Sequence, residues 1–161
     1  MPCFDEGLPV TDAELRITYM RWFRRATAVL VLPLVLTALL QLATTSPWWD
    51  VQAPAGAGAR YLFIGVAIAA AVAGRDVRKR ETADGGLEPA ALVSLSWRLL
   101  VYAMAPVVIG TVLAFMTRQM WDYYMLLGAT LIALVLLFPR YEQWVAWSAR
   151  PDRGTDAGGN A

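Results

Sequence analysis

The stretch Val101–Phe115, VYAMAPVVIGTVLAF, has no charge, yet it holds Pro106 and Gly110 inside an otherwise apolar run. Both residues weaken a helix in water. A helix in lipid tolerates them where a neighbouring helix, a hydroxyl or a local kink supplies what the backbone lacks. The stretch therefore reads as part of a membrane-spanning helix, and the rest of the chain is consistent with that. It is 58% hydrophobic with a mean hydropathy of +0.46, above the range of soluble domains. Uncharged runs cover Ala26–Ala43, Leu99–Thr117, Tyr123–Phe138 and, more briefly, Tyr61–Gly74. A bilayer core of about 30 Å needs about 20 helical residues. The short run must borrow Arg60 and Arg75, whose long side chains reach back to the headgroups.

These runs predict an all-α, integral membrane four-helix bundle with spans at about 26–45, 59–76, 98–117 and 121–139. Residues 1–25 form an N-terminal segment and interfacial helix start, residues 26–147 the transmembrane domain, and residues 148–161 a polar, glycine-rich tail expected to be disordered. Thr11-x-x-Glu14 is a capping-box pattern, which starts the first helix near Asp12. No signal peptide is expected: the first apolar run starts late and lacks a small-x-small cleavage site.

Charge sets the expected topology. Of 14 basic residues, only Arg60 and Arg118 fall in the two loops on one side. Arg16, Arg21, Arg24, Arg25, Arg75, Arg78, Lys79, Arg80, Arg98, Arg140, Arg150 and Arg153 fall on the other. The positive-inside rule places both termini in the cytoplasm, with the bacterial inner membrane as the expected location. The tryptophans fall near the two predicted interfaces and read as aromatic belts.

The halves resemble each other. Pro33 and Pro106 each lie within a span, "PWWD" and "QMWDYY" follow, and Gly65 and Gly128 each stand four residues after a tyrosine. This pattern predicts two tandem hairpins in the same orientation. Small residues at Gly65, Ala69 and Ala73, and at Ala103, Gly110 and Ala114, provide edges for close helix approach and predict contact between the second and third helices. In the outer loops, Asp50 and Asp122 are candidate partners for Arg60 and Arg118.

Nothing in the pattern points to catalysis. With no histidine and one cysteine, Cys3, the usual metal and proton-shuttle sets are missing, and no intrachain disulfide forms. No phosphate loop or nucleophile–base spacing occurs. No enzyme activity, cofactor, metal or nucleic-acid partner is expected. Asp84-Gly85-Gly86 is turn chemistry. Arg78, Lys79 and Arg80 are candidates for contact with lipid headgroups. The expected role is a structural, assembly or interaction subunit acting through helix packing, by self-association or with another membrane complex. The alternative is a small transporter or channel subunit, with Thr37, Thr111 and the proline kinks forming its path.

The segment "AMAPVVIGTVLAF" resembles the ion-carrying helix of the c subunit (proteolipid) of rotary ATPases, and "GVAIAAAVAG", Gly65–Gly74, resembles that hairpin's small-residue helix. With the closing "FPR" at Phe138–Arg140, the chain also resembles uncharacterised bacterial four-helix membrane proteins. The proteolipid resemblance places its ion-binding carboxylate at Met104, a residue that carries no proton and binds no sodium. It therefore implies the scaffold without the ion site.

Overall fold

The computed structural model describes residues 11–50 and 57–149. Cys3 and most of the tail lie outside them, as do residues 51–56. The described residues contain α1 (Asp12–Leu30), α2 (Leu32–Thr44), a 3-10 turn at Pro47–Asp50, α3 (Ala57–Glu81), α4 (Pro89–Thr117), α5 (Met120–Leu137) and α6 (Tyr141–Ser148), with no strand among them. Three helical segments are long and apolar enough to cross a membrane: Asp12–Thr44, Pro89–Thr117 and Met120–Leu137. α3 has the length, but its uncharged stretch is shorter than a bilayer core requires.

α1 starts at Asp12 as the capping pattern predicts, with Thr11 Oγ1 accepting from the Glu14 amide at 3.4 Å. Its buried residues continue along α2 as one narrow stripe of Leu15, Trp22, Ala26, Pro33 and Leu40. The helix breaks at Val31, two residues before Pro33, because proline cannot donate to the turn behind it. Pro106 behaves differently: it is fully buried and α4 continues through it.

α4 is the central helix. α3 and α5 pack along it, and α1, α2 and α6 also touch it. α4 and α5 form a tight hairpin joined by Arg118 and Gln119, with Arg118 in the left-handed region at φ 57°. α2 and α3 form no matching hairpin, since α3 packs on α4 and α5 instead of on α2. The two halves are thus alike in sequence but not in packing. One half breaks at its proline and the other does not.

The helix edges also differ from expectation. On α4 the small residues Ala103, Gly110 and Ala114 are all buried, but Gly110 faces α5. A Cβ there would lie 2.8 Å from Leu126 Cβ and 3.6 Å from the Tyr123 backbone. α3 does contact α4, as predicted, but through Ala67 and Gly74. A Cβ on Gly74 would meet Leu137 Cδ1 and Tyr102 Cβ, each at 2.9 Å. Gly65 and Ala69 are exposed, and a Cβ on Gly65 or Gly128 would meet nothing within 4 Å. Small residues occur on every face of α3, so the pattern alone cannot select the packed one.

Alanine substitutions separate these environments. Gly110→Ala should destabilise the bundle by about 1–3 kcal/mol, because α5 must move to admit the methyl group. Gly65→Ala and Gly128→Ala should be neutral or stabilising by up to about 1 kcal/mol through helix propensity. Thermal unfolding of the three variants in one detergent checks this ordering.

Candidate functional site

Three features bring chemistry-bearing side chains together. They lie at the basic end of the bundle (Arg75–Arg80, the start of α1, and α6), at the far end, and along the α3–α5 face.

At the far end Asp122, in the first turn of α5, is 8% exposed. Its Oδ2 accepts from Thr117 Oγ1 at 2.6 Å and from Arg60 Nε at 3.1 Å. Arg60 also donates to Gln119. The carboxylate sits where the α5 N-terminus favours negative charge, and the pair ties α3 to the α4–α5 turn. Of the candidate pairings between Asp50 or Asp122 and Arg60 or Arg118, the Arg60–Asp122 pair is formed, and the Arg118 guanidinium lies 5.7 Å from the centre of the Trp49 ring. Asp50 belongs to the side chains outside the described set.

Between the ends, Tyr123 joins α5 to α2. Its hydroxyl donates to the Pro33 carbonyl at 2.8 Å and lies 2.8 Å from Thr37 Oγ1, which reaches the same carbonyl at 2.7 Å. Thr111 and Thr130 bond back to the carbonyls of Val107 and Leu126, each four residues earlier in its own helix. The polar groups proposed to line a transport path therefore have partners within the bundle.

At the basic end, rings fill the core. Trp22 and Trp144 are 2% and 0% exposed, with centroids 5.8 Å apart. Tyr19, Phe138 and Trp97 close around them. Trp144 Nε1 donates to buried Ser96 at 3.1 Å, whereas buried Trp22 Nε1–H finds no acceptor and is enclosed by rings. The belt reading is corrected here. Trp22, Trp144 and Trp49 are core residues, while Trp121, 69% exposed, faces outward. Met104 lies in the same core. α6 is held in place by backbone bonds from Gly86 to Ala149 at 3.0 Å and from Leu87 to Trp147 at 2.9 Å. Gly85 and Gly86 supply the positive φ that this turn needs. The periodic signal was present in the sequence, since Tyr141, Trp144 and Trp147 recur every third residue.

Of the headgroup candidates, Arg78 turns inward and donates to the Leu136 carbonyl at 2.7 Å, one of the carbonyls α5 leaves unpaired at its end. Lys79 and Arg80 stay exposed. Arg98 pairs with Glu81. Among the described residues, no group of three or more metal-ligating side chains comes together. Comparison with models of known protein families, with curated proteins and with solved structures finds no match.

Two measurements probe the ends. Asp122→Asn should cost about 1–2 kcal/mol in thermal unfolding, kept low because Arg60 is partly screened by solvent. At the other end, Tyr141 donates to Asp12 Oδ1 at 2.6 Å, and this bond holds its phenol above the ordinary value of 10.0. A raised folded-state value contributes stability that is complete below the unfolded value and is lost as pH rises past it. Docking of α6 on α1, followed by hydrogen exchange, should therefore weaken above about pH 10. Tyr141→Phe should flatten that dependence.

Proposed function

We propose that the chain is a four-span inner-membrane protein that works as an interaction or assembly subunit through helix packing, without a catalytic site of its own. α3 serves as the second span. It packs lengthwise on α4 and touches α5 at Leu137, and its charged ends are accommodated by the Asp122 pair at one end and by headgroups at the other. An even number of spans puts both ends on one side, and the charge bias makes that side the cytoplasm.

The observation that carries this reading is the outward-facing edge of α3. Gly65 and Ala69 are exposed and Ala73 is half-buried, on the side of α3 turned away from Ala67 and Gly74. At about 100° per residue, Gly65 and Ala69 lie some 160° around the helix from Ala67. Lipid gains little from such an edge, whereas another helix can approach it closely. The partner is a helix of a second copy or of another membrane complex.

Gly65→Leu and Ala69→Leu test the reading. Native mass spectrometry in mild detergent should show the wild type with a companion, either a second copy or another protein. Either substitution should remove the companion and leave the melting temperature within a few degrees, because nothing packs at Gly65. A wild type that runs alone as a monomer refutes the proposal.

A further inference from the structure

A groove of about 670 Å³ runs between α3 and α5. It exists because facing positions are small: Ala67 and Ala71 on one wall, Ala129 and Ala133 on the other. Both helices pack on α4, but alanines cannot bridge the gap between them, and buried Pro106 forms the floor. From Ile64 to Arg78 the groove follows about 21 Å of helix, more than the roughly 15 Å of hydrocarbon in one leaflet. Its lining is apolar apart from the two arginines at one end. An extended hydrocarbon chain fits.

The ends differ in charge. Ile64 and Met125 line the far part, whereas Arg75 and Arg78 stand one turn apart at the basic end. No acidic side chain lines the groove among the described residues. Asp76 is exposed and projects about 100° around the helix from Arg75. A guanidinium has five N–H donors, and the bond from Arg78 to Leu136 occupies one. Two guanidiniums at the membrane surface, at the end of an apolar groove, match a phosphate carrying an acyl chain.

We propose that this groove binds one anionic phospholipid from the leaflet at the basic end. Arg75 and Arg78 hold its phosphate, and an acyl chain lies over Ala71, Pro106 and Ala129. The groove borders the Gly65–Ala69 edge at Ile68 and Val72, so the two readings are told apart at Arg75, away from that edge: Arg75→Gln should weaken lipid preference and leave the companion bound.

The test is native mass spectrometry of the full chain from mixed micelles holding equal amounts of dioleoyl phosphatidylglycerol and dioleoyl phosphatidylcholine. The wild type should retain one phosphatidylglycerol in preference. Arg75→Gln, at an exposed position, should reduce that preference about fivefold, the effect of one charge near a membrane surface. Lys79→Gln with Arg80→Gln, farther along the same helix, should change nothing. Ala129→Phe or Ala71→Phe, judged folded by circular dichroism and melting, should lower retention of both lipids. Equal retention of the two lipids by the wild type overturns the proposal. So does a loss in the Lys79/Arg80 variant equal to that in Arg75→Gln, or photo-crosslinking from position 71 that captures protein instead of lipid.

Discussion

Apolar helices surrounded by lipid gain nothing from excluding water, so this bundle depends on the few places where backbones come close. Gly110 lets α5 settle against α4 over Leu126 and Tyr123, and Gly74 lets α3 settle between Tyr102 and Leu137. These contacts make α4 a central post with a neighbour on each side. The buried stripe of α1 and α2 is narrow by comparison, and it is held mainly by rings at one end and by the Tyr123–Pro33–Thr37 bonds in the middle.

The two prolines show how one residue type serves two purposes. Pro33 follows a break, and its carbonyl receives two hydroxyls, so the disturbed turn is used as an attachment point. Pro106 lies within a continuous helix beneath the α3–α5 groove. Its ring fills space without bringing a donor, which keeps the groove floor apolar.

Much of the frame was legible from local pattern. The Thr11 cap, the turn at Gly85 and Gly86 and the apolar runs all depend on neighbours in sequence. The packing was less legible, for a physical reason. α3 has small residues on more than one face, and which face is buried depends on Tyr102, Leu113 and Leu137, residues far along the chain. The tryptophans were misread for a related reason. A ring near a membrane surface can face headgroups or another helix, and only the return of α6 over α1 decides that Trp22 and Trp144 are enclosed. The sequence offered Asp50 and Asp122 together as partners for Arg60 and Arg118, and only the packing of α3 against the α4–α5 turn selects Asp122 for Arg60.

That pair bears on biogenesis. A chain emerges from the ribosome N-terminus first, so Arg60 is made 62 residues before the carboxylate that receives it. α3 is not among the helical segments apolar enough to cross a membrane by themselves, and it finds its neighbours in α4 and α5, which follow it. On the proposed four-span reading, its retention in the bilayer is decided late, when the last hairpin arrives, and the first half of the protein depends for its insertion on the second.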